Sequence, residues 1–344
     1  MEQQDILSMT LPELQAAVQE LSEPKFRAKQ IFNWLHQKRV TDFSEMTTLS
    51  LPFRERLASD FCINRLKIAK RLASSVDDTV KYLYELPDGN YVETVCMQYH
   101  HGTSLCISTQ VGCRMGCRFC ASAIAGFVRN LTPAEMLLQI YETERAQNCK
   151  ISSLVLMGIG EPLDNFDNVL RFLQLLSDPN GYGMSLRHVT VSTCGVVPKI
   201  LELAEQRLGL TLSVSLHCPN DAGRSAIMPI NRSYPIDVLL DACQTYFEKT
   251  GRRVTFEYAV MEQVNSAEQD AAALAERLKG LHAHVNLIPI NPVKERNFHT
   301  LKKTVLQFQK TLERYGIPAT IRRTLGSDIE AACGQLRRDA IQQT

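Results

Sequence analysis

The chain has no run of about 18 apolar residues, so no membrane-spanning helix is expected. Neither sign of charge is in excess. Lys and Arg number 38 against 37 Asp and Glu, a net of +1, so no global field draws the chain onto a polyanion. Any affinity for nucleic acid must then come from local patches. The start, MEQQDILSMT, lacks a basic stretch followed by an apolar one, which argues against a secretion signal. There is one tryptophan, Trp34. It recurs at helical spacing with Phe26, Ala28, Ile31, Phe32 and Leu35, and so reads as core rather than as a stacking platform for a ligand.

Cysteine, by contrast, is abundant. The chain holds 11. Without a secretion signal they point to a reducing, cytoplasmic setting, with thiols as ligands or reactants rather than as a disulfide scaffold. An apolar content of 44% over 344 residues suffices for one large domain with a smaller appendage.

Four cysteines crowd into CISTQVGCRMGCRFC. Cys113, Cys117 and Cys120 read C-x3-C-x2-C, and Cys106 precedes them. Three thiolates on a short loop can hold three corners of a cubane iron–sulfur cluster, leaving one iron for a small molecule bearing an amine and a carboxylate. The rival is zinc with Cys106 as fourth ligand. Structural zinc sites prefer paired C-x2-C hooks, and no second hook exists downstream. Spacing and strand context favour the cluster.

The organisation around this loop is regular. Residues 1–75 read as a helical accessory domain, with helix starts at Leu11-Pro12-Glu13 and Pro24-Lys25-Phe26. Residues 76–103 read as a β-hairpin adaptor, Tyr82 to Met97, turning at Pro87-Asp88-Gly89-Asn90. From residue 104 to 344 strand and helix alternate. Strands are expected at 104–110, 153–157, 189–192, 210–215, 254–260 and 285–290. Thr132-Pro133-Ala134-Glu135 is a capping box opening the first helix. Later helices are expected near 164–176, 198–206, 235–248, 266–280 and 299–315. Six successive strand–helix units imply an α/β fold with a parallel sheet, too short for a closed eight-stranded barrel and therefore a partial (βα)6 barrel. In such folds chemistry sits at the C-terminal strand ends. The cysteine loop, Gly158-Ile159-Gly160-Glu161-Pro162, Ser192-Thr193-Cys194-Gly195, Ser215-Leu216-His217, Tyr258 to Glu262 and Ile290-Asn291-Pro292 all fall there.

C-x3-C-x2-C with an aromatic before its last cysteine, after the first strand of such an array, resembles the radical S-adenosylmethionine (SAM) superfamily. GFVRNL (126–131), GIGEPL (158–163), SLH (215–217) and GSDIEAACGQL (326–336) are similar to the RlmN/Cfr family of dual-specificity RNA methyltransferases. The resemblance runs from about Pro24 to Arg338. Glu161-Pro162 resembles the RlmN branch, whereas the Cfr branch carries Glu-Ala there.

The resemblance implies that Cys113, Cys117 and Cys120 carry a [4Fe-4S] cluster whose open iron binds SAM. It matches Gly160, Glu161, Ser192, Ser215, Leu216, His217 and Asn291 to SAM-contacting positions. Glu161 suits an ammonium, and the hydroxyls suit ribose or carboxylate. Cys333 matches a methyl-carrying cysteine, Cys106 a second reactive cysteine, and Glu93 a proton acceptor. The implied activity is methylation of adenine at carbon 2 in 23S rRNA and in tRNA beside the anticodon, using two SAM per turnover and an external flavodoxin- or ferredoxin-like electron donor. A monomer is expected. The alternatives are carbon-8 methylation of the rRNA base (the Cfr reaction), a zinc–RNA binding module, and a radical SAM enzyme of small molecules. Arg65–Arg71, Arg252-Arg253, Arg322-Arg323 and Arg337-Arg338 are candidate phosphate contacts.

Overall fold

In the computed structural model, which describes residues 3–290 and 298–329, the first unit is small and mostly helical. Strand β1 (Gln4–Asp5) is joined to β2 (Phe61–Cys62) in parallel, with α1 (Leu11–Glu20), α2 (Phe26–Asn33) and α3 (Leu51–Asp60) between them in the chain. Helix α1 begins as its sequence dictates. The Glu13 carboxylate accepts from Thr10 N at 2.8 Å, and Pro12 sits in the first turn. Helix α2 runs into one π-type turn, Trp34–Lys38, closed by Arg39 at φ +56°. Trp34 is half-buried against the core, and its indole N–H donates to Thr48 Oγ1 at 2.8 Å.

Asp5 lies at the base of this unit. Its Oδ1 accepts from Leu7 N at 3.0 Å, yet burial pushes its carboxyl up to about 6. The fold therefore retains a proton that the unfolded chain releases nearer pH 4. Stability from this group is fully present below that pH and is lost as pH rises through about 6. Asp5→Asn, which keeps the acceptor without the charge, is expected to stabilise the protein at pH 7.5 by about 1–3 kcal/mol. It should have no effect near pH 4. Urea midpoints measured across that range check both statements.

The remainder is built on one large sheet. In chain order its strands are β3 (Lys67–Ala73), β4 (Val80–Glu85), β5 (Tyr91–Tyr99) and β6 (Gly102–Cys106). The short strands β7 (Gln110–Gly112) and β8 (Phe127–Asn130) then form a separate antiparallel pair. Helix α4 (Pro133–Gln147), β9 (Ile151–Leu156), α5 (Phe166–Ser177), β10 (Val189–Thr193), α6 (Val197–Glu205) and β11 (Thr211–Ser215) follow. Next come α7 (Asp221–Ile227), α8 (Ile236–Thr250), β12 (Val254–Val260), α9 (Glu268–Leu278), β13 (Ala283–Pro289), α10 (Lys302–Arg314) and β14 (Ala319–Ile321). The ten-stranded order is β14-β13-β12-β11-β10-β9-β6-β5-β4-β3. Neighbours from β6 through β14 are parallel; β3, β4, β5 and β6 are antiparallel.

The expected α/β architecture with its partial barrel is observed, including the Thr132 capping box, where Glu135 accepts from Thr132 N at 2.9 Å. Three details differ. Residues 67–73 form an edge strand rather than helix. That strand is exposed along most of its length, so it carries no amphipathic signal, and Lys67, Lys70 and Arg71 blunt its open edge. The expected strand 104–110 ends at Cys106, and Gln110 starts the β7–β8 pair. After α10 the chain adds a further parallel strand, β14, too short for a period to show.

The helical unit docks on α4. His36 Nδ1 lies 2.9 Å from the Tyr141 hydroxyl. Arg39 pairs with Glu144, which also accepts from Ile151 N at 2.6 Å and Tyr182 Oη at 2.7 Å. Arg171 reaches back to Glu13 at 2.6 Å. Among the described residues, no helix is long and apolar enough to cross a membrane.

Candidate active site

The β7–β8 pair is the base of the cysteine loop. Cys113 N donates to Gly126 O at 3.1 Å, closing the loop where the strands meet. Gly112 has φ +81°, and a Cβ there would stand 1.8 Å from Gly126 O, so only glycine fits. Arg118 N is held by Ile227 O at 2.9 Å. Cys113, Cys117 and Cys120 are half-buried and line one cavity of about 350 Å³ at the C-terminal ends of the parallel strands. Burial pushes the Cys113 thiol up to about 12 and the Cys117 thiol higher still, so both are protonated until a metal displaces the proton.

Soft thiolates on a cavity wall suit a cubane, which spreads its ligands over its corners. They do not suit one zinc ion. Among the described residues no three Cys, His, Asp or Glu side chains converge on a single-ion site. Cys106 sits apart on β6, packed with Val95, Met97, Val155, Met157 and Leu325.

The strand mouths converge as the sequence predicts. Gly158, Gly160, Glu161, Ser192, Ser215, His217 and Cys106 all line the same cavity. Gly160 has φ +111°, and a Cβ there would lie 2.6 Å from the Gln110 Cβ. Its absence lets the loop after β9 close onto β7, where Glu161 N donates to Gln110 Oε1 at 2.8 Å. The Glu161 carboxylate accepts from Cys194 N at 2.7 Å and Leu163 N at 3.0 Å. The Thr193 and Cys194 side chains also hydrogen-bond to it. Burial raises its pKa, a cost that a ligand ammonium beside it would offset.

His217 adopts φ +58° and is buried. Its Nδ1 accepts from Ala259 N at 2.9 Å, which leaves the ring proton on Nε2. Burial, reinforced by Arg224, holds its pKa down to about 3, so the ring is neutral. Phe119, the aromatic before Cys120, meets it edge-on with centroids 4.7 Å apart.

Some expected residues lie elsewhere. Leu216 does not line the cavity: its side chain is in the main core, its N donates to Glu257 O at 3.0 Å and its carbonyl accepts from Arg224 at 3.2 Å. Glu93 is fully buried rather than exposed on its hairpin, and pairs with Lys81 Nζ at 2.9 Å. It shares a face of β5 with the cavity-lining Val95 and Met97 but stops short of the cavity. Asn291 and Cys333 lie outside the described residues.

The sequence reading also missed two groups. Arg224, on the short α7, is fully buried and donates to Cys194 O at 2.7 Å, Ser215 O at 3.0 Å, Leu216 O at 3.2 Å and Asn231 Oδ1 at 2.9 Å. It ties the ends of β10 and β11 together and sets a fixed cation behind the thiol loop. Glu257, on the cavity wall, accepts from Ser213 Oγ at 2.6 Å and Asn286 Nδ2 at 2.9 Å. A charge inside the apolar run VTFEYAV was the available signal.

Comparison with known proteins agrees with this geometry. Residues 4–63 match the family model of the ribosomal RNA large subunit methyltransferase N-terminal domain, and residues 107–275 match the radical SAM superfamily. The chain is 50% identical, over 99% of its length and 96% of the relative's, to the probable dual-specificity RNA methyltransferase RlmN of Lachnoclostridium phytofermentans. It is 48% identical, over 98% and 99%, to the protein of the same name from Clostridium novyi. The crystal structure of a radical SAM methyltransferase from Sphaerobacter thermophilus superposes with a TM-score of 0.92 at 40% identity, covering 96% of this chain and 98% of that one. Fold, cysteine loop and relatives together make this chain a member of the RlmN family of radical SAM enzymes.

Proposed function

We propose that this SAM-dependent RNA methyltransferase places its methyl group on carbon 2 of adenine, in 23S rRNA at the peptidyl transferase centre and in tRNA next to the anticodon. The supporting observation is the shared cavity: the three loop thiols, the strand-mouth polar groups, Cys106 and the stretch Arg322–Leu325 leading to Cys333 all line it. Adenine carbon 2 is electron-poor and does not attack a methyl sulfonium, so a polar transfer fails and cofactor chemistry is required.

Cys113, Cys117 and Cys120 hold the [4Fe-4S] cluster. When bound, the cluster supplies the electron, drawn from a flavodoxin- or ferredoxin-like donor, that splits SAM into methionine and a 5′-deoxyadenosyl radical. Glu161 receives the ammonium of SAM, and Ser192, Ser215 and the His217 Nε2–H offer hydrogen bonds to its polar groups. Asn291 belongs to the same set. Phe119 and the apolar wall exclude water from the radical.

Cys333 takes a methyl group from a first SAM and carries it as a thioether. A second SAM would supply the radical that takes one hydrogen from this methyl group, and that carbon would then bond to the base. The adduct is still a radical: it gives up one electron, which the cluster when bound would take back, together with the carbon-2 proton, accepted by Cys106 on the cavity wall or by Glu93, buried beyond it on the same face of β5. Cys106 then attacks the Cys333 sulfur. The carbon–sulfur bond breaks, the released carbon takes a proton to become methyl, and a Cys106–Cys333 disulfide remains for an external reductant. The helical unit at residues 4–63 grips the folded RNA, whose target base leaves its stack to reach the cavity.

Anaerobic reconstitution followed by methylation of an rRNA fragment tests the proposal. Nucleoside mass spectrometry should give 2-methyladenosine; exclusive 8-methyladenosine, or no modification by a brown, cluster-loaded protein, would overturn it.

A further inference from the structure

Among the described residues, the edges of the ten-stranded sheet are β14 and β3, which leaves an open seam between them. Residues 322–329 cross that seam. Arg322 N still pairs with Leu287 O at 2.8 Å, extending β14. Arg322, Arg323, Thr324 and Leu325 then line the cavity, and Leu325 packs against the cluster formed by Val95, Met97 and Cys106. The next residues are fastened to the turn between β3 and β4. Gly326 N donates to Asp77 Oδ2 at 2.9 Å. Ser74 Oγ donates to Asp328 Oδ1 at 2.7 Å, and Ser75 donates to Asp328 Oδ2 from its N at 2.7 Å and from its Oγ at 2.8 Å. Asp77 is itself set by Thr79 N at 2.9 Å, and Thr79 also lines the cavity.

We infer that Asp328 is a positioning residue: with Asp77 it latches the strap 322–329 across the seam, and so fixes the point from which Cys333 is delivered to the cavity. The inference rests on the proposed role of Cys333 as methyl carrier.

Chain length makes the latch matter. Cys333 is 333 − 328 = 5 residues beyond Asp328, a reach of at most about 18 Å. With the latch open, the last backbone hydrogen bond to the sheet is that of Arg322, 333 − 322 = 11 residues away, a reach of about 40 Å. Effective concentration falls with roughly the 3/2 power of the chain length between fixed point and thiol, here about threefold. Hydrogen bonds from Ser74 and Ser75 hold the Asp328 carboxyl down to about 2, so it is charged at working pH. The latch faces solvent, where such bonds open readily. A strap over a cavity that must admit a nucleotide benefits from that property.

The test uses the full chain with its cluster and compares Asp328→Ala and Asp77→Ala with wild type. The first readout is 5′-deoxyadenosine formed per methylated adenosine. Each variant should raise that ratio about threefold, as cleavage of SAM outruns delivery of the methyl carrier. The second readout is hydrogen exchange at the Ser75 and Gly326 amides, which should quicken. A wild-type ratio overturns the latch. So does loss of the cluster absorbance in either variant, because that outcome marks a purely structural role. Cys333→Ala separates the two layers. If it still methylates RNA, the methyl-carrier reading fails; if it is inactive while Asp328→Ala couples normally, only the latch fails.

Discussion

Replacing Cys106 by alanine is expected to leave the enzyme covalently attached to its RNA. Up to the bond between Cys333 and the base, no step in the proposed sequence needs Cys106 as a nucleophile. Release does. A thioether linking protein to RNA is stable in water, and a neighbouring thiolate is the group that cleaves it by attack on sulfur. Cys106 lines the cavity, is 4% exposed and belongs to the cluster with Val95 and Met97 against which Leu325, on the strap that leads to Cys333, packs. Its place on β6 between β5 and β9 fixes it, since Cys106 pairs with Val95 on one side and Val155 on the other. Removing one sulfur from this wall costs about 1 kcal/mol in packing, so the fold and cluster should persist. Multiple turnover should fall by about a thousandfold or more. A protein band shifted by the mass of the RNA should appear on denaturing gels and collapse on nuclease treatment. Normal turnover by Cys106→Ala would remove its resolving role.

How much of this was legible in advance follows from what each residue needs from its neighbours. The strands β9 to β13 are runs of branched and apolar residues bounded by turns, so each announces itself locally. So does the cysteine loop, because its spacing is itself the signal. Once strands and loop are placed, the parallel fold brings the residues after each strand to one end, and Glu161, Ser192, Ser215 and His217 meet without further information. What was not legible depends on register or on distant partners. Lys81 and Glu93 pair only because β4 and β5 align Lys81 with Val95 and Leu83 with Glu93. Ser74 and Asp328 stand 254 residues apart, and such residues occur on any surface. Arg224 lies on the short helix α7, and nothing in DAGRSAI shows that a cation will be sealed beneath two strand ends. Leu216 fell within a motif whose outer members face the cavity while it packs into the core.

The cluster itself is open to a sharper test than its presence or absence, because two thiols lie close to the loop without belonging to it. Cys117 packs against the buried cluster that contains Cys194, Cys218 and Met228. The donor set assigned here is Cys113, Cys117 and Cys120 alone. Cys117→Ala should therefore reduce iron from four atoms per chain to fewer than about one, and abolish the absorbance that gives cubane proteins their brown colour. Reductive cleavage of SAM and methylation should fall together by at least about ten-thousandfold, since the radical has no other source. Cys194→Ala provides the contrast. The Cys194 thiol is buried, burial beside Glu161 raises its pKa well above the usual range, and it directly follows β10 rather than sitting on the loop. Making it a ligand would mean moving a strand end already bound to Glu161 and Arg224 through its backbone. Cys194→Ala should hold a full complement of iron. If it loses the cluster while Cys117→Ala keeps one, the thiolate set has been drawn from the wrong side of the cavity.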